Sequence, residues 1–295
     1  MTTLSAKRVA PWALLTPFLV VFAIFTAWPL AWSLWLSLHQ SYGPGVSTYV
    51  GVGNYSSMLA DPLFWLSLKN TTLYTLGSVF IQLPLALGLA MLLEMPGLRG
   101  RGVIRLVLFS PSLVGVVFAA MLFGIIFEKR TGLLNQLLNG AFGVSLDTPW
   151  LSTYILWALI LASLWMYVGF NMVYFSAALQ NVRRELVEAA TVDGAGPVDR
   201  FVHVVLPAIR PVASFVVLLS IIGSLQLFEL PYLMLDVAGK PNDDGKTLIM
   251  YLYTRGFDLG DLGYASAVGW VLGLVLIGVT VVERLIARNE AEGSA

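Results

Sequence analysis

Three polar side chains follow one another at intervals of three residues inside a long apolar stretch of the sequence. They are Gln226, Glu229 and Tyr232, and residues three apart lie on one face of a helix. A polar group in membrane hydrocarbon is costly, so such groups in spanning helices commonly mark a functional site. Because the apolar run continues past them, the spacing predicts that they line a polar pathway. The alternative is that the helix ends near Leu225 and that these groups face water at its outer rim.

A second set of candidates lies in the preceding apolar stretch, where aromatic rings and an amide come close together. Trp165, Tyr167 and Phe170 can stack on the apolar C–H faces of a pyranose, and the Asn171 amide can hydrogen-bond with its hydroxyl groups. The alternative is an aromatic belt at the membrane interface combined with ordinary helix packing. The residues alone leave both interpretations open.

The residues that catalysis or metal binding would need are sparse. The chain has no cysteine, and carboxylates do not cluster beside His39 or His203, which argues against a zinc site. The string from Gly239 to Thr247 resembles a phosphate-binding loop, but five residues separate its glycines where the motif needs four. A Gly-x-Ser-x-Gly turn and paired carboxylates in a cleft are also missing. We therefore expect no catalysis, metal ion or cofactor in this chain.

The composition indicates the environment in which these residues work. Of the 295 residues 58% are hydrophobic and 12% are charged, and the mean hydropathy is +0.81. A soluble domain is about a quarter charged, so a cytosolic enzyme, a nucleic-acid-binding protein and a disordered chain are all excluded. The apolar runs are continuous rather than alternating, which argues against a β-barrel. We expect an all-α integral membrane protein, with one domain over residues 1–295.

Six apolar runs are each long enough to cross a bilayer, which takes about 20 residues. The first is too long for the core of a signal peptide, so we expect it to be retained. The predicted spans cover residues 9–38, 72–93, 103–127, 151–175, 211–235 and 265–287. Most lysines and arginines lie at the two termini and in the second and fourth loops, so the positive-inside rule predicts that both termini are cytoplasmic. The cations on that side are Lys7, Arg8, Arg99, Arg101, Arg105, Arg183, Arg184, Arg200, Arg210, Arg284 and Arg288.

The cytoplasmic loop at residues 180–207 is predicted to have structure of its own. Glu185 and Glu188 with neighbouring alanines favour a short helix, and Gly194 ends it because glycine accepts the positive φ of a helix C-terminus. A second short helix is expected to follow, before Leu206-Pro207 turns the chain into the fifth span. Such a segment either lies on lipid as a connector or docks a cytoplasmic partner, and the residues alone favour the two equally.

This loop resembles the EAA loop of permeases in binding-protein-dependent ABC importers. The matching residues are Glu188-Ala189-Ala190, Gly194 six residues after Glu188, Val204 in place of the usual isoleucine, and Leu206-Pro207. The longer stretch from Leu179 to Pro211 resembles the sugar branch of the family, the maltose and glycerol-phosphate type. The resemblance covers about residues 60–295 and favours docking over a connector on lipid.

Two departures from the family pattern are visible. Val182-Arg183 stands where Ile-Pro is common, and Lys240 interrupts a Gly-Gly-Pro-like site. Neither affects the spacing of the EAA residues, and the second concerns an outer loop alone.

The resemblance implies a type I ABC importer permease fold with six transmembrane helices in a bacterial or archaeal cell membrane. It implies a second homologous permease subunit, two ABC ATPase subunits that bind ATP and Mg, and an extracytoplasmic solute-binding protein as partners. The implied substrate is a sugar or related polyol. The residues implied in ATPase docking are Glu185, Glu188, Ala189, Ala190, Asp193, Gly194, Leu206 and Pro207.

The resemblance also implies solute contacts in three spans. They are expected at or near Ser112, Trp165, Tyr167, Phe170, Gln226 and Glu229.

Other interpretations remain open at this stage. One is an ABC permease for a non-sugar solute. Another is a secondary transporter or channel subunit in which Glu229 is a proton-linked or cation-linked carboxylate, and a third is a membrane scaffold without transport. In the sixth span, Gly269 and Gly273 form a GxxxG pattern that allows close helix packing within the chain or against a second permease.

Overall fold

The computed structural model describes residues 12, 14–43, 45, 47–95, 97–143, 147–237 and 243–293, except for the side chains of 236–237 and 286–293. Residues 239–242 of the phosphate-loop-like string therefore lie outside the described residues. The helices are α1 (Leu14–Ser37), α2 (Gly53–Ala60), α3 (Pro62–Leu93), α4 (Arg101–Leu113), α5 (Val116–Ile126), α6 (Leu133–Phe142), α7 (Ile155–Gln180), α8 (Arg184–Val192), α9 (Pro197–Leu225), α10 (Glu229–Val237), α11 (Leu248–Tyr253) and α12 (Leu262–Gly293), and the strands are β1 (His39–Ser41) and β2 (Ser47–Tyr49).

Five of these helices are long and apolar enough to cross a membrane, namely α1, α3, α7, α9 and α12. The pair α4 and α5 gives a sixth span when it is counted as one, although the two helices are bent by 96° at their break. The sequence predicts one unbroken span over 103–127. The break has a local cause, because Pro111 cannot donate a backbone hydrogen bond and Gly115 is extended, with ψ of 141°.

The fifth span also differs from its prediction. The predicted run covers 211–235, whereas α9 begins at Pro197 and ends at Leu225, and α10 begins separately at Glu229. The interruption between α9 and α10 corresponds to the alternative in which the first helix ends near Leu225. The apolar residues beyond the break belong to a second helix rather than to a continuation of the first.

The predicted turn at Leu206-Pro207 is replaced by continuous helix. The backbone N–H of Leu206 bonds to the carbonyl oxygen of Phe201, five residues back, within the π-helical turn Phe201–Val205. A proline ring clashes with the carbonyl four residues before it in an α-helix, and a wider turn relieves that clash. The second short helix predicted in the loop is therefore the first part of α9.

The chain divides into two compact units. The first contains the described residues up to Asp61 together with Leu252–Leu274. Within it, Trp270 of α12 donates a hydrogen bond from Nε1 to Ser33 Oγ of α1, at 3.2 Å. Asn54 Nδ2 donates to the carbonyl oxygen of Ser37 at 2.8 Å, which fixes α2 against the end of α1. Of the two glycines in the GxxxG pattern, Gly269 lies against the Leu252 side chain, so this contact is made within the chain.

The second unit contains the described residues between Pro62 and Tyr251 and those from Val275 onward, and α7 contributes side chains to two of its apolar clusters. The first part of α7, up to Met166, packs with buried side chains of α3, α5 and α10 in one apolar cluster. The later part, from Val168, packs with α3 and α9 in another. Tyr167 lies between these two stretches and is 38% exposed. At the middle of α7, the polar side chain of Tyr167 is therefore accessible and not packed inside either cluster.

Gly169 allows α4 to approach α7 closely. A Cβ atom at this position would lie 1.8 Å from the carbonyl oxygen of Leu108, which is a backbone atom and cannot rotate away. A side chain on residue 169 would therefore displace α4, which leads directly into the break of the third span.

Candidate functional site

A cavity of about 230 Å³ lies where the fifth span is interrupted. Side chains from the end of α9, the start of α10, the start of α5 and the middle of α7 surround it. Its lining residues are Val116, Tyr167, Gly223, Gln226, Leu227, Phe228, Glu229 and Leu230.

The short segment between α9 and α10 is held in place by hydrogen bonds. The N–H of Gln226 bonds to Ile222 O at 3.2 Å and closes α9. The carbonyl oxygen of Leu227 accepts a hydrogen bond from Thr247 Oγ1 at 2.7 Å. The aromatic ring of Phe228 stacks on that of Tyr232, with centroids 5.1 Å apart. This break is therefore a defined turn, and it presents Gln226 and Glu229 at the cavity.

The residues that follow this turn are themselves anchored to α3. Asn70 Nδ2 donates to Asp243 O at 3.2 Å and to Lys246 O at 3.1 Å. The hydroxyl of Thr71 accepts a hydrogen bond from the Leu248 N–H at 2.9 Å. Thr247 lies between Lys246 and Leu248, which are both bonded to α3, and it donates a hydrogen bond to Leu227 at the cavity. Helix α3 therefore supports the cavity indirectly.

Helix ends give the cavity a polar backbone surface. The first turn of α5 begins at Val116 and that of α10 at Glu229, and a helix N-terminus exposes N–H groups that have no partner inside the helix. Gln226 follows the last residue of α9, where the carbonyl oxygens of Ile222 and Ser224 accept hydrogen bonds from the turn itself. Interrupted helices at a transporter midplane typically form substrate sites for this reason. The arrangement can bind a solute that both donates and accepts hydrogen bonds.

The structure brings three of the predicted solute residues together. Tyr167, Gln226 and Glu229 all line the cavity. Two more pack against the apolar core instead: Trp165 meets Phe123 edge-on, with centroids 5.5 Å apart, and Tyr232 stacks on Phe228, which does line the cavity.

The other three predicted residues are not among the lining residues. Ser112 donates a hydrogen bond from Oγ to Phe109 O at 2.7 Å. Phe170 is 40% exposed and meets Tyr174 edge-on. Asn171 is 8% exposed and lies inside the second unit. As solute contacts, these three stay predictions.

The sequence did not point to five of the lining residues. Gly223, Val116 and Leu227 are ordinary members of apolar runs, and Phe228 and Leu230 continue the apolar run past Gln226. The glycine at 115, directly before α5, was the available signal for a break at this place.

The segment 180–207 forms a bent surface element. α8 ends at Val192, and Gly194 follows with φ of +84°, a conformation that favours glycine. The Ala195 N–H bonds to Ala190 O at 2.9 Å, which closes the C-terminus of α8. Across the bend, Arg200 Nη1 donates to Thr191 Oγ1 at 2.6 Å. The predicted bend at Gly194 is thus present, and it joins α8 to the start of α9.

This bent element exposes both charge and apolar surface. Glu185 and Glu188 are exposed on α8, and Leu186 between them is 46% exposed. Val192 and Val198, on either side of the bend, are 88% and 73% exposed. Ala189, Asp193, Leu206 and Pro207 are also exposed, and Ala190 is half-buried. An exposed apolar surface of this kind, rimmed by charged groups, is typical of a site that binds a protein or a membrane surface.

A polar cluster stabilises the helix ends next to this element. Glu94, at the end of α3, accepts hydrogen bonds from Arg105 Nη2 of α4 at 2.9 Å and from Gln180 Nε2 of α7 at 3.0 Å. Arg101 Nη1 lies 3.7 Å from the same carboxylate. The cluster fixes three helices directly before the chain enters α8.

Among the described residues, groups of three or more His, Cys, Asp or Glu side chains that could hold a metal ion are not found.

Comparison with known proteins agrees with this architecture. Residues 82–290 match the family model described as "Binding-protein-dependent transport system inner membrane component". The chain is 34% identical over 283 residues to the arabinooligosaccharides transport system permease protein AraP of Halalkalibacterium halodurans, covering 96% of this chain and 89% of that protein. It is 32% identical over 282 residues to the lactose transport system permease protein LacF of Rhizobium radiobacter, covering 94% of each.

A further relative and one solved structure extend the comparison. The sn-glycerol-3-phosphate transport system permease protein UgpA of Yersinia enterocolitica is 32% identical over 282 residues, covering 95% of this chain and 94% of that protein. A chain of a bacterial alginate ABC transporter, crystallised with an alginate pentasaccharide-bound periplasmic protein, superposes with a TM-score of 0.83 at 21% identity. That match covers 97% of this chain and 96% of the other, and it shows the fold.

Proposed function

Because this chain belongs to the family of binding-protein-dependent transport system inner membrane components, we propose that it moves a sugar or related polyol through the membrane as one permease subunit of an ATP-driven importer. The relatives are permeases of arabinooligosaccharide, lactose and glycerol-phosphate systems. The cavity supports the same substrate class, since Tyr167 offers a ring and Gln226 and Glu229 offer hydrogen-bonding groups for hydroxyls.

The proposed assembly contains partners that this chain needs for transport. They are a second homologous permease, two ATPase subunits that bind ATP and Mg, and an extracytoplasmic solute-binding protein. Both termini and the bent element at 180–207 lie in the cytoplasm in this proposal, in agreement with the distribution of lysine and arginine. The exposed acidic and apolar surface of α8 then faces an ATPase subunit.

One observation carries the mechanism, namely the continuity of α9. This helix begins at Pro197, beside the bend at Gly194, and ends at Leu225, beside the cavity. It is 29 residues long, or about 44 Å at 1.5 Å per residue. A movement imposed on α8 and the start of α9 is therefore transmitted along one helix to Gln226 and Glu229.

Transport by alternating access follows from this connection. Closure of the ATPase dimer on ATP moves the docked element, and α9 transmits the movement so that the cavity opens outward and accepts the solute. Hydrolysis of ATP resets the assembly, and the cavity opens toward the cytoplasm. The breaks in the third and fifth spans allow the two halves of each span to move separately.

The test is uptake in proteoliposomes that contain the complete importer. We expect sugar uptake only with ATP inside and with the binding protein outside. Glu188→Lys places a cation in the docking surface, and we expect it to abolish uptake while the protein still folds. Asp258→Lys makes the same change of charge at an exposed residue outside segment 180–207 and should leave uptake unchanged.

The rival functions give different results in that assay. Uptake that needs an ion gradient and no ATP would indicate a secondary transporter that uses Glu229. ATP-driven uptake of a solute other than a sugar or polyol would indicate a non-sugar permease of the same family. Full ATP-coupled uptake by Glu188→Lys would contradict docking through α8.

A further inference from the structure

The cavity at the end of α9 is lined by described residues of which the charged one, Glu229, is acidic. Glu229 is exposed at the cavity, and the other lining groups are uncharged: the Tyr167 phenol, the Gln226 amide, and apolar or glycine residues. Of the described residues that line it, none is a lysine or arginine. A solute in this cavity therefore meets a negative charge that no basic side chain of the described lining pairs with.

The helix N-termini at the cavity would by themselves attract anions, and the charge of Glu229 opposes this attraction. Val116 begins α5 and Glu229 begins α10, and the N-terminus of a helix carries partial positive charge that favours anions. Glu229 is the acidic residue in the first turn of α10. Glu229 therefore adds a negative charge to a helix end that would otherwise favour an anionic group of a solute.

Resting on the function proposed above, we infer that Glu229 makes this permease selective against acidic sugars. The solute is then an uncharged or basic sugar or polyol, rather than a sugar phosphate or a uronate. An ionised carboxylate accepts hydrogen bonds from hydroxyl or ammonium groups, whereas it repels a second anion. A single charge in a partly hydrated site is expected to discriminate between such solutes by about tenfold or more.

The first experiment determines the charge of the solute with the complete importer in proteoliposomes. ATP-driven uptake is measured for neutral disaccharides, amino sugars, hexuronates and glycerol phosphate. We expect uptake of a neutral or basic compound and not of the acidic ones. If a hexuronate or glycerol phosphate is the transported solute, the inference is overturned and the proposed function stands. If no sugar or polyol of any charge is taken up, both are overturned.

The second experiment separates the permease from the selectivity of the binding protein. The importer is trapped with ADP and vanadate, and retention of the transported sugar is compared with that of the aldonate made by oxidising the same sugar. We expect wild type to prefer the sugar by about tenfold or more, and Glu229→Gln to lower this ratio several-fold. Asp258→Asn removes a carboxylate that does not line the cavity and should keep the wild-type ratio. An unchanged ratio in Glu229→Gln would refute the role of Glu229.

Discussion

Gly169 sets the distance between α4 and α7. A Cβ atom would lie 1.8 Å from Leu108 O, so Gly169→Ala forces α4 away from α7. Overpacking of this kind costs about 1–3 kcal/mol. We expect Gly169→Ala to lower the thermal unfolding midpoint of the purified importer and to reduce uptake strongly, because α4 ends at the break beside the cavity.

Gly88 provides the matched control for that substitution. It lies inside α3, and nothing lies within 4 Å of the position that its Cβ would take. Alanine is a better helix former than glycine by about 1 kcal/mol, so Gly88→Ala should unfold at or above the wild-type temperature. Equal behaviour of the two variants in a thermal-shift assay would show that the close approach at Gly169 has no energetic importance.

Gln226 is the second residue whose role can be measured. It lines the cavity, and removal of one hydrogen-bonding group from a solute site weakens binding by about tenfold. We expect Gln226→Ala to raise the solute concentration needed for half-maximal ATPase stimulation by the loaded binding protein. Gln136 on α6 is exposed and does not line the cavity, so Gln136→Ala should leave that concentration unchanged. An unaltered half-maximal concentration in Gln226→Ala would remove this residue from the site.

The cavity was partly predictable from single residues. Gln226 and Glu229 stand out because they interrupt an apolar run at helical spacing, and the aromatic Tyr167 stands out in the preceding run. Gly169 does not, because the sequence does not reveal which backbone a glycine faces. The buried position of Asn171 was equally invisible, since its place on α7 relative to its neighbours depends on how α3 and α9 pack.

At the scale of elements, the bend between α8 and α9 can be tested through Gly194. Its φ of +84° costs a residue with a Cβ about 1–2 kcal/mol, so Gly194→Ala should loosen or shift the bend. We expect ATP hydrolysis to continue while the sugar imported per ATP falls. Gly196, two residues on, has φ of −68° and should tolerate alanine. Normal coupling in Gly194→Ala, measured as sugar imported per ATP, would show that the bend is not needed for transmission.

The sequence predicted some of the helices correctly and others not. Helix α8 and the bend at Gly194 could be predicted from the local sequence, because helix-forming residues and a glycine after the helix act over one or two turns. The continuity of α9 could not, since Leu206-Pro207 normally ends a helix and here a π-helical turn accommodates it. The break before α5 was not predicted and the break before α10 was predicted only as an alternative, because hydropathy averages over a window and does not register an interruption of two or three residues.

The orientation of the protein in the membrane can be measured directly, because the chain has no cysteine. Single cysteines can be placed at exposed positions without a background of native thiols, for example by Glu188→Cys on α8 and Arg130→Cys after α5. The positive-inside rule predicts that Glu188 is cytoplasmic and that Arg130 is outside. A membrane-impermeant maleimide should therefore label Arg130→Cys in right-side-out vesicles and Glu188→Cys in inverted vesicles alone.

The same cysteine also reports on docking. Bound ATPase subunits should protect Glu188→Cys from the reagent in inverted vesicles, whereas removal of those subunits with urea should restore labelling. Arg99→Cys, at an exposed residue on the same side but outside the bent element, should react equally before and after the wash. Labelling of Glu188→Cys from the outside would reverse the topology, and labelling that the ATPase does not affect would separate α8 from the docking surface. Because α9 connects that surface to the cavity, either result would leave the transport mechanism without its mechanical link.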